Sequence, residues 1–485
     1  MLRYGIEKLK KCACFFCVLL ILFSAVLKTA PLIAQNTQEN RYSLRQIIGI
    51  ALENNLSLSA AKSKLEASDW GVKKAYSRFL PKVAVNQRIT KVDNFSVRNA
   101  NFAIEGLKSF PGFEDIDIPP LLFKNTYQSS FSVTIPIYNG GRLTNNLEIA
   151  KLMHEGDRLS LKNAEAEITL QAVKAYFNFA KSREFVRVRQ KALELARLNL
   201  KNVKTKNELG IRPKSDILRW EAQVASEESN LIEAENAEEI AKVSLAKLIG
   251  IDLLENFDIV EIPEGEFMQF EMRYTEIVSG DRQTQLNRLH SEALRYNYEK
   301  QLTVLQTSLS QSAEKAVRSE FLPQINFAYN YSWQGNDTPA LDGFKFWDAT
   351  IQLSYPLFSG FGDVSDLKKA RAEVRQSEKL EQDYDRNIML AIFTAYNTIK
   401  TSLARITLFE KNLSHAADNL KLVQNRYDLG LASNIDLIDA QVLETTAQVN
   451  LINARYELLV AGAELERTLG KPLVELENFS TSKRD

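Results

Sequence analysis

Apolar positions along the chain follow two periods. From Arg142 onward they recur at three and four residues, as in Ile168, Ala172, Ala175 and Phe179, then Phe185, Val188, Ala192 and Leu195, the spacing of one face of an α-helix. No proline falls from Arg142 to Ile211 or from Gly362 to Lys471, so nothing breaks those helices from within. The pattern predicts a long helix over 142–209 closed by Gly210 and a shorter one over 214–249; a second pair follows over 362–429, closed by Gly430, and over 434–469. At 1.5 Å per residue the long helices reach ~100 Å and the short ones ~54 Å, too long for a compact globule. Helices of about the shorter length are expected before each Phe-Leu-Pro, from Leu44 to Phe79 and from Asn287 to Leu322.

The second period is two. Ile325, Phe327, Tyr329, Tyr331 and Trp333 alternate with Asn326, Ala328, Asn330, Ser332 and Gln334, and Trp347, Ala349, Ile351, Leu353 and Tyr355 alternate with Asp348, Thr350, Gln352 and Ser354. Tyr127, Ser129, Phe131, Val133 and Ile135 repeat the alternation more weakly, as do Val83, Val85 and Ile89. Two β-hairpins are therefore predicted, over 82–135 and 324–355, with strands of the length and aromatic-rich face of an outer-membrane barrel.

The two halves match. Ala51, Leu52, Asn55 and Phe79-Leu80-Pro81 recur as Ala293, Leu294, Asn297 and Phe321-Leu322-Pro323 at an offset of 242. Beyond the hairpins the offset is 220: Pro136 with Pro356, Gly140 with Gly360, Ala175-Tyr176 with Ala395-Tyr396, Leu209-Gly210 with Leu429-Gly430, Asp216 with Asp436, and Gly250 with Gly470. The reading is a tandem-repeat protomer, with a first repeat over 35–250, an acidic insertion over 251–286 expected to form an equatorial belt with the tail, a second repeat over 287–470 and a C-terminal tail over 471–485.

Residues 1–34 read as a signal peptide: Arg3, Lys8, Lys10 and Lys11 precede an apolar run from Cys12 to Leu27, shorter than the ~20 residues a spanning helix needs. All three cysteines, Cys12, Cys14 and Cys17, lie in it, so the mature chain is expected to form no disulfide. Sixty-one basic residues balance 61 acidic ones, which offers no polybasic handle for nucleic acid. Three isolated histidines (His154, His290, His415) and the absence of nucleotide-binding, serine-hydrolase or zinc-protease motifs from the mature chain leave no case for an enzyme, a metal or a cofactor.

Stoichiometry follows from closure, because four strands cannot close a barrel and open edges are not tolerated in lipid. Two protomers give eight strands with a filled interior, whereas three give twelve and leave a lumen. The fold expected is mainly α with a transmembrane β-barrel: a homotrimer whose 12-stranded barrel continues into the periplasm as a 12-stave α-helical barrel with coiled-coil seams.

The paired N-x-L and Phe-Leu-Pro segments, the turns Pro136-Ile-Tyr-Asn-Gly140 and Pro356-Leu-Phe-Ser-Gly360, and Tyr427-Asp-Leu-Gly430 followed by Asp436-Leu-Ile-Asp439-Ala-Gln resemble the TolC-like outer-membrane efflux proteins, over about Tyr42 to Leu473. The resemblance implies a passive exit duct in the outer membrane, joined by a periplasmic adaptor to an inner-membrane pump, for small amphiphilic compounds; type I protein secretion is the alternative use. A poreless exported coiled-coil scaffold is the reading from another class.

The turns at Gly210 and Gly430 would then be the periplasmic tip. Asp436 and Asp439, three apart on one helical face, would form two carboxylate rings in a trimer, each like-charge pair at ~6 Å costing ~3 kcal/mol at an effective dielectric near 20, and so favour cations. Ser433-x-x-Asp436 also reads as a helix cap, which makes Asp439 the cleaner selectivity candidate. The resemblance further implies a latch in which Tyr427 bonds to Asp216. The family's bridging arginine is replaced by Ala432, and Arg219, equivalent to Asp439, is the candidate substitute.

Overall fold

The computed structural model describes residues 40–113, 116–252, 257–336, 341 and 343–471. The expected signal peptide, its cysteines and the tail beyond Lys471 lie outside the described residues. In chain order the elements are β1 (Asn40–Tyr42), α1 (Leu44–Asn54), α2 (Leu56–Ser77), β2 (Lys82–Lys91), α3 (Asn94–Lys108), β3 (Asn125–Asn139), α4 (Arg142–Glu208), α5 (Lys214–Ile249), β4 (Phe257–Ile259), α6 (Glu264–Val278), α7 (Arg282–Tyr296), α8 (Tyr298–Arg318), β5 (Gln324–Gly335), β6 (Phe344–Ser354), α9 (Gly362–Asp428) and α10 (Asn434–Leu469). β1 and β4 pair in parallel, Tyr42 opposite Ile259, as a small unit of their own.

Everything else forms the second unit. α4 and α9 are each 67 residues long, and α5 and α10 are each 36, within one residue of the expected bounds. α10 buries Ala440, Ala447, Leu451, Ala454, Leu458, Ala461 and Leu465, a three-four spacing that keeps a coiled-coil seam facing its neighbours. Alanines at this seam let backbones approach closely, and leucines fill what remains.

The helices before each Phe-Leu-Pro are not continuous, contrary to expectation. Each is broken at an asparagine that ends one helix and caps the next. Asn55 Oδ1 accepts from the N–H groups of Ser57 (2.9 Å) and Leu58 (3.1 Å), and Asn297 Oδ1 from that of Lys300 (2.9 Å). A side-chain amide that takes over orphan N–H groups makes a helix start worth about 1 kcal/mol, enough to set a boundary here. The 36-residue helices end against these breaks: Asn54 Nδ2 donates to Ile249 O (3.2 Å) and Asn297 Nδ2 to Thr468 O (2.9 Å). Gly470 is left-handed (φ +71), and a Cβ on it would lie 2.2 Å from Tyr296 O.

The insertion contributes α6, while α7 begins at Arg282, before the expected start at Asn287 and within the span 251–286 given to the insertion, because Asp281 caps it by accepting from Thr284 N at 2.8 Å. α6 buries Phe267, Phe270 and Tyr274 on one face. Both ends of the α6 segment are clasped by the tyrosines that mark the repeat: Tyr176 Oη donates to Val260 O (2.6 Å) and Tyr396 Oη to Val278 O (3.2 Å). Ion pairs from Glu261 to Arg187 (2.6 Å) and from Arg455 to Glu264 (2.6 Å) add to the hold.

The four long strands form one antiparallel sheet in the order β2-β3-β5-β6. β3 runs past the expected end at Ile135, through Pro136, to pair Asn139 with Gln324, with a register shift between Pro136 and Tyr138. α3, which the alternation gave no sign of, occupies the β2–β3 connection; it is capped by Asp93 and tied by Asn101, whose amide donates to Leu122 O (2.7 Å) and accepts from Leu122 N (3.0 Å). Val83, Val85 and Ile89 of β2 and Trp347, Ile351 and Leu353 of β6 are exposed, an apolar face at both edges of the sheet. No helix among them is long and apolar enough to cross a membrane.

A Cβ on Gly462 would lie 2.0 Å from the Tyr274 ring. Gly462→Ala is therefore expected to cost ~1–3 kcal/mol by overpacking, outweighing the ~1 kcal/mol gain in helix propensity. Hydrogen exchange over 264–278 should accelerate; unchanged protection would show that α6 yields without loss.

Candidate functional site

Each helical hairpin turns on a glycine, Gly210 (φ +73) or Gly430 (φ +78). In both, the residue after the glycine closes the end of the long helix, Ile211 N to Lys206 O (2.9 Å) and Leu431 N to Arg426 O (2.7 Å), a bond that needs the left-handed residue before it. The turns present Leu209, Ile211, Leu429 and Leu431 to solvent at 65–75% exposure.

Behind the turns the two hairpins join in a small core of Ala196, Val203, Trp220, Tyr427 and Leu437. At its centre is Asn434, only 3% exposed, in the first turn of α10. Its Oδ1 accepts from Tyr427 Oη (2.5 Å) and from Trp220 Nε1 (3.2 Å), tying α9 and α5 to α10. Burial pushes the Tyr427 hydroxyl up, so it keeps its proton and remains a donor. Arg212 caps the joint: its guanidinium carbon lies 4.8 Å from the Tyr427 ring centroid, Nη1 is 3.8 Å from Asp216, and Nη2 donates to Ala432 O (3.4 Å). Lys206 Nζ approaches the same ring at 5.2 Å. A cation over a half-desolvated ring contributes ~1 kcal/mol.

The structure thus corrects the expected latch. Tyr427 does not bond to Asp216; its hydroxyl goes to Asn434, Asp216 goes to Arg212, and Arg212 links the two by lying over the ring. The arginine that lies over the Tyr427 ring is Arg212, whereas Arg219 is exposed on α5. Arg212 sits 220 residues before Ala432, so the basic residue is present in the other half, and the 220-residue offset was the signal for it. Trp220 and Asn434 carried no such signal.

Asp436 is first of all a cap. Ser433 Oγ accepts from Asp436 N (3.2 Å), and Asp436 Oδ2 accepts from Ser433 N and Oγ (2.8 Å each). The Ser433 backbone and side-chain hydrogen bonds hold its carboxyl below the ordinary aspartate range. Asp439 lies one turn further along α10 and is exposed. Among the described residues no cluster of His, Cys, Asp or Glu is arranged to hold a metal.

The family profile described as outer membrane efflux protein matches residues 47–251 and 291–471. This chain belongs to that family. It is similar to the outer membrane protein TolC of Vibrio cholerae, with 25% identity over 317 residues covering 62% of this chain and 67% of TolC. It is also similar to the alkaline protease secretion protein AprF of Pseudomonas aeruginosa, with 22% identity over 352 residues, 70% of this chain and 69% of AprF. Among solved structures, that of the outer membrane protein VceC from Vibrio cholerae superposes with a TM-score of 0.72 at 16% identity, covering 88% of this chain and 96% of VceC. The chain is mainly helical, TolC-like and located in the bacterial outer membrane, extending into the periplasm.

Removing Asn434 leaves two buried donors without an acceptor. Asn434→Ala is expected to destabilise the tip by ~2–4 kcal/mol and Tyr427→Phe by ~1 kcal/mol, and the double variant should fall well short of the sum. Denaturant unfolding followed at the tip checks this; strictly additive losses would remove the Tyr427–Asn434 bond as a coupled pair.

Proposed function

We propose that the mature protein is a tandem-repeat protomer that assembles as a homotrimer, pooling twelve strands into a barrel and continuing it with twelve helical staves, and that this tube is a passive exit duct. The observation that carries the reading is the four-stranded sheet with exposed apolar positions and two open edges, attached to 67-residue helices in a chain of this family. Such a sheet in lipid needs its edges paired, and copies of the same chain supply the pairs.

The tip is the end that meets a periplasmic adaptor and, through it, an inner-membrane pump. Exposed Leu209, Ile211, Leu429 and Leu431 offer the apolar contacts for such a docking, with Gly210 and Gly430 fixing their presentation. Small amphiphilic compounds are the cargo favoured here. Export of protein is the second reading, supported by the likeness to AprF over 70% of the chain.

Asp436 and Asp439 are the selectivity carboxylates of this duct, with different burdens. Asp436 is tied to Ser433 and stays charged further into acid than an ordinary carboxylate, while Asp439 is free of the cap. The joint of Tyr427, Asn434, Arg212 and Asp216 is the latch that holds the tip.

Single-channel conductance in planar bilayers tests the proposal. The wild type should give discrete, cation-preferring steps, and Asp439→Ala should reduce that preference severalfold without loss of helix stability, since the cap survives. Tyr427→Phe should raise the open fraction. Verified trimers that never conduct, with or without the latch, would favour the poreless scaffold.

A further inference from the structure

α10 packs against both α4 and α9, and all three helices turn one face to the α6 segment. Arg183 of α4 pairs with Glu261 (3.1 Å), Arg455 of α10 pairs with Glu264 (2.6 Å), and Tyr396 Oη of α9 donates to Val278 O (3.2 Å). Two residues along an α-helix rotate the side chain by ~200°, to the other side of the rod. Lys181, Glu457 and Thr398, each two residues from one of these clasps, therefore lie on the opposite face, where they line a groove of about 650 Å³.

The floor of this groove is apolar and its walls are charged. Phe177 stands edge-on to Tyr456, 6.4 Å between ring centroids, and the Tyr456 hydroxyl is fixed by donating to Glu184 (2.7 Å); Val460 and Ala461 continue the floor. Of the four charged residues on the walls, three are engaged. Lys174 Nζ pairs with Glu464 (2.6 Å), and Glu457 pairs with Arg405 (3.2 Å). Lys181, half-buried, is the fourth and has no ion pair among the described residues. The groove therefore offers one uncompensated cation beside apolar surface, whereas a cationic guest would have to displace Lys174 or Arg405 from a carboxylate.

In a tube of twelve staves the groove opens on the lumen. Helices ~9.5 Å apart close a ring of ~36 Å between axes, and their own thickness leaves ~26 Å clear. Three copies of α6, each 15 residues and so ~22 Å long and ~10 Å thick, would plug that space, so a passive duct carries α6 on the outside and the opposite face within. We propose that the groove is a transit site for amphiphiles with a single anionic group, in which Lys181 receives the charge and the floor of Phe177, Val460 and Ala461 receives the apolar chain. The proposal rests on the duct reading and adds a place on its wall where cargo pauses, together with the head group preferred there. A groove open along one side holds its guest weakly, as a wall that cargo must leave requires.

Photolabelling with dodecanoate carrying a mid-chain diazirine, on the full-length protein in lipid nanodiscs and read by peptide mass spectrometry, tests the site. Label should enter 174–181 and 453–464, and also the apolar face of the sheet, which serves as an internal reference. Lys181→Gln should lower groove labelling about fivefold relative to the sheet, the loss expected of one half-exposed ion pair, while Lys181→Arg keeps it. The matched diazirine alcohol should label wild type and Lys181→Gln alike, at the lower level. Glu464→Gln, which releases Lys174 from its partner, should raise labelling by the carboxylate, an outcome that a merely structural role for these residues would not give. Groove labelling that survives Lys181→Gln unchanged, or that is absent while the sheet is labelled, would overturn the site and leave the duct standing. Groove labelling in trimers that never conduct in planar bilayers would remove the duct, and the transit role with it.

Discussion

A helix of 67 residues has no globular core to sit in, and its apolar positions must be covered laterally along their whole length. That requirement organises the rest of the molecule. The partners are shorter helices, so a long helix is covered by two in succession, and the join is where a helix would otherwise expose its last carbonyls. Asn54 and Asn297 reach the carbonyls of Ile249 and Thr468 there, while Asn55 and Asn297 start the next helices. The α6 segment is held by Tyr176 and Tyr396, one from each long helix. Side-chain hydrogen bonds to backbone groups thus do at the joins what the ladder does within the helices.

The far end of the hairpins is built differently in the two halves. Tyr427 and Asn434 come from the second half, whereas Arg212, Asp216 and Trp220 come from the first. Positions related by the 220-residue offset, such as Arg212 and Ala432, therefore face one another across the joint instead of duplicating a contact. The joint therefore needs residues from both halves of the chain.

The helices were legible because proline spacing and a three-four period survive over 67 residues, where tertiary context has little power to override them. The strands were legible where the alternation was strong, in β5 and β6. The extension of β3 through Pro136 was not, because it depends on the partner strand β5. The breaks at Asn55 and Asn297 were visible only as repeated letters; their meaning required the carbonyl of another helix. α3 falls inside the span expected for the first hairpin, 82–135, where the period-two pattern describes only the two strands. At the tip, Tyr427, Asp216, Asp436 and Asp439 were marked by spacing and resemblance, but the actual partner of Tyr427 is seven residues away in sequence, across a turn whose geometry no local pattern encodes.

Asn434 has one further property. Its Oδ1 takes both donors, and its Nδ2 is buried without a hydrogen-bond partner among the described residues. The amide can have only one orientation, since a flip would set an NH₂ group against the hydroxyl and the indole. Aspartate would accept both bonds at the cost of a buried charge, and leucine would fill the space while stranding both donors. The position is therefore tied to its two donors: an apolar side chain there strands Tyr427 and Trp220 together, so such a replacement calls for changes at both.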